Sequence, residues 1–192
     1  MPKIDDITGV ILAGGRSERF GRNKAFSTFQ GVPLIERVLK VMTGLFQDVI
    51  LVTNSPQEFA SYGVLVLTDQ EPHQGPLGGL VTALAASIND TAFVVACDMP
   101  ILNPEVIAWL IEKGRNFDAA VPVHDGIREY LMALYSRRLL QRMSCCLSEG
   151  KLSLDEFCRK LSNVTWIPVD GDSWFNVNTK KDLEFLEKHH AH

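Results

Sequence analysis

The sequence lacks any long apolar run. Apolar stretches such as VLVL (64–67) and AFVVAC (92–97) are short, whereas a membrane span needs roughly 20 residues. The opening MPKIDDITGV also lacks the basic and apolar regions of a signal peptide. These absences predict a protein without a membrane partner and with a cytoplasmic location.

Cysteine is scarce, and its spacing argues against a metal or disulfide framework. No CxxC pair occurs, and two of the four cysteines are adjacent. They are Cys97, Cys145, Cys146 and Cys158. This pattern predicts reduced, structural thiols.

The sequence also lacks an extended basic face. The net charge is -4, and nonspecific nucleic-acid binding needs many positively charged phosphate contacts. Nucleic acid is therefore not an expected partner. The 192 residues, of which 46% are hydrophobic and 22% charged, predict a single domain over 1–192 with a continuous core.

Strand-like and helix-like segments alternate along the first 114 residues. The predicted strands are 7–13, 48–54, 64–69 and 92–98. The main predicted helices are 33–46, 77–88 and 103–114. This alternation predicts a three-layer α/β/α fold with a Rossmann-like, mostly parallel sheet. Residues 129–135 follow 118–126 too closely for a crossover helix, so a small antiparallel excursion is expected there.

The unusual polar and glycine-rich residues follow the predicted strands. They are LAGG (12–15), Thr53 and Asn54, Asp69, and CDMP (97–100). Because ligands bind outside the carboxyl ends of the strands in open parallel sheets, one site at this edge is predicted.

A basic loop follows the first strand. Gly14 and Gly15 can present backbone amides to an anion without side-chain obstruction. Residues 16–24 then carry four basic side chains against one acidic one, a net charge of +3. The loop predicts polyphosphate binding, although a tight turn with solvated charges is the open alternative. Neither GxxxxGK[ST] nor GxGxxG occurs here, which argues against P-loop enzymes and nicotinamide dehydrogenases.

Two further segments on this edge suit a nucleotide. Asp98 ends an apolar strand, where a carboxylate is costly to desolvate unless it is paired, caps a turn or holds a hard cation such as Mg²⁺. Capping of the turn before Pro100 is the alternative. GPLGG (75–79) opens a predicted helix, whose free amides attract anions or base edges; close helix packing is the alternative there.

Together, LAGGRSERFGRNKAF, GPLGG, CDMP and FNVNTKKDL resemble the nucleotidyltransferases of the glycosyltransferase-A-like fold. Among these, the sequence is most similar to the MobA-type molybdenum cofactor guanylyltransferases, from about Ile7 to Leu186. The resemblance implies transfer of GMP from GTP to molybdenum-molybdopterin with Mg²⁺ and release of pyrophosphate. It further implies that about 7–100 binds nucleotide and the remainder the acceptor, with molybdoenzymes or cofactor-delivery proteins as partners.

The resemblance also implies roles for individual residues. Nucleotide contacts are expected at Leu12, Ala13, Gly14, Gly15, Lys24, Asn54, Asp69, Gly78 and Asp98. Lys24, helped by Arg19, would stabilise the phosphates, and Asp98 would ligate the metal. Asn176 and Asn178 would hold the acceptor phosphate or the metal shell, the alternative being a turn and cap before the last helix.

The sequence departs from the family pattern in two places. No proline precedes the apolar strand in REYLMALY, and Val52 stands where an asparagine is frequent. A molybdopterin cytidylyltransferase, a nucleotidyltransferase for another small phosphate, and a noncatalytic nucleotide-binding adaptor remain alternatives at this point.

Overall fold

The central sheet organises the chain. The structure is a computed structural model that describes residues 2–14, 23–69, 74–151, 153–169 and 174–189. Its strands are β1 (Thr8–Leu12), β2 (Thr28–Phe29), β3 (Val32–Pro33), β4 (Val49–Thr53), β5 (Leu65–Thr68), β6 (Thr91–Ala96), β7 (Ile101–Leu102), β8 (Ala119–His124), β9 (Ile127–Arg128), β10 (Met132–Ser136), β11 (Val164–Pro168) and β12 (Trp174–Phe175). The main sheet has the order β11-β8-β10-β6-β1-β4-β5, and β9 pairs with β8.

Strand β1 is the centre of the parallel part. It pairs in parallel with β4 on one side and β6 on the other, so that Ile11 lies opposite both Leu51 and Val95. The chain first builds outward to β5 and then crosses back to β6 on the other side of β1. Such a reversal of strand order opens a crevice at the carboxyl ends, where ligands of open α/β sheets bind.

The expected antiparallel excursion is present. Strand β10 lies between β6 and β8 and is antiparallel to both, and β9 is antiparallel to β8. The connection from β8 to β10 is short because neighbouring antiparallel strands need no crossover helix. The prediction of a mostly parallel sheet with a local antiparallel insertion is confirmed.

Helices cover both faces of the sheet. They are α1 (Leu34–Leu45), α2 (Pro56–Phe59), α3 (Gly75–Ala86), α4 (Pro104–Gly114), α5 (Leu140–Ser148), α6 (Leu154–Arg159) and α7 (Lys180–His189). One buried cluster joins α1, α2 and α4 to one face, and a second joins α3, α5 and α6 to the other. The three-layer α/β/α prediction is therefore confirmed.

The strand sequences explain why two cores form. Successive strand side chains point to opposite faces, so Ile11 enters the α1/α4 cluster while Val10 and Leu12 enter the α3/α5 cluster. All three side chains are buried. A strand that is apolar on both faces is stable only with helices on both.

Helix ends follow the sequence signals with small shifts. Asn103 caps α4, since its side chain accepts from the amides of Glu105 and Val106 at 2.8 and 3.4 Å. Pro33 immediately precedes α1 instead of lying in its first turn. Helix α3 begins at Gly75, two residues before the predicted start, because Pro76 suits the first turn of a helix.

The C-terminal segment returns to the centre of the fold. Strand β12 pairs with β7, and the amide of Val177 donates to the carbonyl of Asp98 at 2.9 Å. Thr179 caps α7 by accepting from the amide of Asp182 at 3.3 Å. Within the described residues, no helix is both long and apolar enough to cross a membrane.

Candidate active site

A cleft of about 170 Å³ opens at the carboxyl ends of the parallel strands. Its walls come from the ends of β1, β5 and β6, from the start of α3, and from a short 3₁₀ helix at Lys24–Phe26. Residues predicted for the site that line it are Leu12, Ala13, Gly14, Lys24, Asp69 and Asp98. The expectation that these residues meet at one edge agrees with the structure.

The end of β1 is held by its neighbour β4. The Thr53 hydroxyl donates to the carbonyl of Ala13 at 3.2 Å, and the Asn54 side-chain amide donates to the carbonyl of Gly14 at 3.0 Å. A methyl group added to Gly14 would meet ordinary contacts only, 3.5 Å from Asn54 Nδ2. Packing therefore does not require this glycine, whereas a ligand approaching the backbone would benefit from it.

Lys24 enters the cleft from its 3₁₀ helix. The Asn23 side chain caps that helix by accepting from the amide of Ala25 at 3.2 Å. Lys24 Nζ forms an ion pair with Asp98 Oδ2 and also lies 3.4 Å from Asn178 Oδ1. The Lys24 and Asp98 side chains are each only 17% exposed. The pair is thus shielded from water, which strengthens its electrostatic attraction.

The turn after β6 fixes Asp98. Its position is set from both sides, since the Cys97 amide donates to the carbonyl of Leu12 at 3.0 Å and Val177 donates to the carbonyl of Asp98. Burial raises the pKa of the Cys97 thiol to about 12. Because the thiolate is the nucleophilic form, a raised thiol pKa argues against Cys97 as a nucleophile.

Asp69 is the second carboxylate of the cleft. It is buried, and its Oδ1 accepts a hydrogen bond from the Thr82 hydroxyl at 2.9 Å. Burial raises its pKa, and the hydrogen bond from Thr82 opposes that shift. Its Oδ2 faces the glycines, because a Cβ atom added to Gly14 or Gly78 would lie 3.9 or 3.8 Å from it, respectively.

The two predicted asparagines lie beside Asp98 but have different partners. Asn178 contacts Lys24, as described above, whereas the Asn176 side-chain amide donates to Glu129 Oε2 at 2.7 Å. Asn176 Oδ1 is buried and has no hydrogen-bond partner among the described residues. The asparagines thus do more than cap the last helix, which Thr179 does.

The remaining predicted residues fall in three places. Asn54 supports the end of β1 from outside the cleft lining. Gly78 lies in the first turn of α3, where a Cβ would come within 2.8 Å of the Gln74 Cβ, so helix packing already accounts for this glycine. Gly15 and Arg19 lie outside the described residues.

Sequence reasoning missed Glu129 and Thr82. Glu129 binds Asn176 and, through Oε1, the amide of Leu131 at 2.8 Å. Burial raises the pKa of Glu129, while these two donors oppose the rise and the nearby Asp98 charge adds to it. The sequence carries only a faint signal for Glu129, a carboxylate immediately before an apolar strand. Thr82 gives no signal, since threonine is common in helices that pack on a sheet.

Comparison with known proteins identifies the family. The family model described as a MobA-like NTP transferase domain matches residues 9–164. The chain belongs to the MobA-like NTP transferase family. Membership confirms both the resemblance inferred from the four motifs and the nucleotidyltransferase class.

Relatives within the MobA-like family match over nearly the whole chain. A molybdenum cofactor guanylyltransferase of Desulfosudis oleivorans is 35% identical and is aligned over 96% of each chain. A probable molybdenum cofactor guanylyltransferase of Bacillus cereus is 32% identical, over 94% of this chain and 95% of the relative.

A solved structure agrees with the sequence relatives. The molybdopterin-guanine dinucleotide biosynthesis protein A of Archaeoglobus fulgidus superposes with a TM-score of 0.84 at 27% identity. The match covers 96% of this chain and 99% of that protein. The same MobA-like architecture thus extends through the C-terminal segment that brings Asn176 and Asn178 to the cleft.

Proposed function

We propose that this chain transfers GMP from GTP to the terminal phosphate of molybdenum-molybdopterin, forming the guanine dinucleotide and releasing pyrophosphate. The family and the names of its relatives support this reaction over an adaptor role. The observation that carries the proposal is the shielded Lys24–Asp98 pair in the cleft at the ends of β1 and β6. It places a cation and a carboxylate where phosphates would bind.

Lys24 supplies the positive charge for the phosphates. Nucleotide and acceptor are both anions, so their repulsion is the first barrier, and a fixed cation in a shielded cleft lowers it. In the chain alone, Lys24 Nζ is held by Asp98 and Asn178. When GTP binds, its phosphate oxygens compete with Asp98 for Lys24. The Asp98 carboxylate then loses its ion pair with Lys24 and is available to another cation.

The oxygen donors beside Lys24 fit a hard divalent cation. Among the described residues, no three His, Cys, Asp or Glu side chains group together, and Mg²⁺ typically binds one or two carboxylates together with substrate phosphates. Asp98 supplies a carboxylate. Asn176, whose Oδ1 has no hydrogen-bond partner among the described residues, directly precedes Val177, which donates to the Asp98 carbonyl. We propose that Asp98 would hold Mg²⁺, which would supply positive charge that neutralises the substrate phosphates.

Asp69 is suited to reading the base. The edge of guanine carries ring N–H and exocyclic NH₂ donors, and a carboxylate offers two acceptor oxygens to such a pair. Thr82 orients Asp69 from one side, while Oδ2 faces Gly14 and Gly78, where no side chain stands in the way. This arrangement favours GTP over CTP, because the corresponding edge of cytosine presents acceptors as well as a donor.

The transfer step needs no general base from the chain. The terminal phosphate of the acceptor is already ionised, so it can attack the α-phosphorus of GTP directly, with pyrophosphate leaving in line. The described residues carry out binding, orientation and charge stabilisation. His124, the last residue of β8, lies with Nδ1 3.0 Å from the carbonyl of Val169, which is a structural contact.

The residues proposed to contact the nucleotide lie between Leu12 and Asp98, before residue 100. Glu129, Asn176 and Asn178, which lie around the other part of the proposed site, follow residue 100. We therefore keep the division into a nucleotide-binding part, about 7–100, and an acceptor-binding remainder as a proposal. GTP and molybdenum-molybdopterin are the proposed substrates, and molybdoenzymes or cofactor-delivery proteins are the proposed recipients of the product.

Product analysis tests the reaction. Purified protein is incubated with molybdenum-molybdopterin, Mg²⁺ and either GTP or CTP, and the products are measured by mass spectrometry. A guanine dinucleotide formed with GTP alone is expected. A cytosine dinucleotide formed with CTP alone would assign the chain to the cytidylyltransferases. If a folded preparation with verified acceptor forms neither, the proposal is wrong.

A further inference from the structure

Glu129 makes two hydrogen bonds that together determine the orientation of a neighbouring amide. It lies between β9 and β10, where Oε1 accepts from the backbone amide of Leu131 at 2.8 Å and Oε2 accepts from the Asn176 side chain at 2.7 Å. An ionised carboxylate can only accept. With Glu129 ionised, Asn176 directs its NH₂ toward Glu129, as the structure shows, and this turns Oδ1 away from Glu129.

The oxygen turned away from Glu129 is the unusual atom. Asn176 Oδ1 is buried without a hydrogen-bond partner among the described residues. Leaving a buried acceptor unsatisfied costs about 1–3 kcal/mol, and such groups in folded proteins commonly mark a ligand, ion or water position. The neighbouring residue, Val177, donates to the carbonyl of Asp98, so Asn176 lies on a segment that is hydrogen-bonded to the turn carrying Asp98.

We propose that Glu129 is a positioning residue that holds the Asn176 amide so that Oδ1, and not Nδ2, faces the bound substrates and metal. The inference rests on the proposed function. The group that Oδ1 meets is electropositive, either the divalent cation with its water shell or an N–H donor of the acceptor. Glu129 itself touches neither substrate.

The chemistry of a Glu129→Gln variant makes the proposal specific. Glutamine has one oxygen and one NH₂ in place of two acceptor oxygens. If its oxygen keeps the bond to the Leu131 amide, its NH₂ faces Asn176 and draws Oδ1 toward itself. The Asn176 NH₂ then faces the ligand side, where an electropositive group would be repelled. A near-isosteric change thus reverses the polarity of an atom in the site.

Exchanging the two groups should restore the oxygen. In the double variant Glu129→Gln, Asn176→Asp, the glutamine NH₂ donates to one aspartate oxygen and the other oxygen faces the ligands. The single variant Asn176→Asp instead places two carboxylates against each other, which is unfavourable. Glu112→Gln, on the exposed face of α4 with only the neighbouring Lys113 as an ion-pair partner within the described residues, is the matched control.

The experiment measures three quantities for the wild type and these four variants. Mn²⁺ affinity in the presence of GTP is followed by electron paramagnetic resonance, kcat and acceptor KM by dinucleotide formation, and Tm by thermal unfolding. Changes in residues that orient metal ligands typically cost about 10–100-fold in metal affinity or activity. We expect each single variant at Glu129 or Asn176 to lose this much in Mn²⁺ affinity or kcat/KM for the acceptor, and the double variant to recover most of it at unchanged Tm.

The Mn²⁺ affinity and the acceptor KM of the variants together show whether Asn176 Oδ1 meets the divalent cation or an N–H donor of the acceptor. Weaker Mn²⁺ binding assigns Oδ1 to the cation, whereas unchanged Mn²⁺ binding with a raised acceptor KM assigns it to the acceptor. A folded Glu129→Gln protein with wild-type values for both overturns the proposal, as does a double variant no better than the single ones. If the wild type forms no dinucleotide, the proposed function is wrong, and the Mn²⁺ measurements alone test the inference. Equal Mn²⁺ affinities in the wild type and in the Glu129 and Asn176 variants then overturn it.

Discussion

Lys24 and Asp98 are 74 residues apart in the chain, yet their side chains form the central contact of the cleft. A cation and an anion that are both largely shielded from water depend strongly on each other, since either one alone would carry a desolvation cost. In the proposed reaction, this mutual dependence is useful because phosphates and a metal ion can replace the two partners. We therefore expect replacement of Asp98 to impair metal binding and replacement of Lys24 to impair nucleotide binding.

Replacing Asp98 with asparagine should separate metal binding from folding. The amide keeps an oxygen for Lys24 but loses the charge that a divalent cation needs, so we expect kcat to fall by about 100-fold or more. Thermal unfolding should stay near the wild-type Tm. Dinucleotide formation over a range of Mg²⁺ concentrations checks this, and near-normal turnover in a folded variant would exclude the metal role.

Replacing Lys24 with alanine should weaken nucleotide binding. A single well-placed charge on a phosphate contributes on the order of 1.5–3 kcal/mol, so the Kd for GTP, measured by calorimetry, should rise about tenfold or more. Lys113→Ala, at an exposed position on α4, is the control and should leave the Kd unchanged. Equal GTP affinity in the Lys24 variant would argue against phosphate contact.

Asp69 should make GTP binding depend on pH. Because burial raises its pKa, Asp69 gains its proton at a higher pH than an ordinary aspartate. A protonated carboxyl has lost one acceptor for the guanine edge, so GTP affinity should fall as the pH is lowered through this raised pKa. Calorimetry between about pH 4.5 and 8 should show this fall in the wild type. Asp69→Asn should bind GTP weakly at every pH, and identical pH profiles would contradict the assignment.

At the scale of elements, glycines in two helices have opposite environments. A Cβ on Gly114, the last residue of α4, would lie 2.5 Å from the Ala120 Cβ and 2.9 Å from the Leu134 Cδ1. A Cβ on Gly44, in α1, would meet nothing within 4 Å. The predicted helix 103–114 ends at Gly114. The structure shows that its place is set by the close approach of α4 to β8 and β10.

Replacement by alanine should change the free energy of unfolding in opposite directions at these two glycines. Gly114→Ala forces α4 away from the sheet and should destabilise the protein by about 1–3 kcal/mol, the typical cost of overpacking. Gly44→Ala should stabilise it by about 0.5–1 kcal/mol, because alanine loses less entropy in a helix. Urea unfolding of both variants measures this, and a Gly114→Ala variant as stable as the wild type would contradict the packing.

At the scale of the whole molecule, the C-terminal segment completes the site. Helix α7 is held to the rest of the chain by a small buried cluster in which Leu186 and Val177 pack with Phe29 and Leu34. The same segment brings Asn176 to Glu129 and Asn178 to Lys24. Loss of this cluster would therefore also change the positions of the side chains that the segment brings to the cleft.

Leu186→Ala tests this coupling. Truncating a buried leucine typically costs about 2–5 kcal/mol, and here the loss should fall mainly on the attachment of α7. We expect faster amide hydrogen exchange in 174–189 with little change in β1 and β6, together with reduced turnover. Glu187→Ala, exposed on the same helix, should change neither. A uniform increase in exchange across the central sheet would show that the segment does not open separately.

The sequence by itself determined the main strands and helices of the first 114 residues, the layered fold, the edge at which the site lies and the family. These follow from local signals, because apolar periodicity selects strand or helix and parallel strands bring their carboxyl ends together. Only the tertiary structure decided that β10 inserts between β6 and β8, that Lys24 pairs with Asp98, and that Glu129 holds Asn176. The last two contacts join residues 74 and 47 positions apart. No local pattern encodes such contacts, since their geometry depends on how all the layers pack.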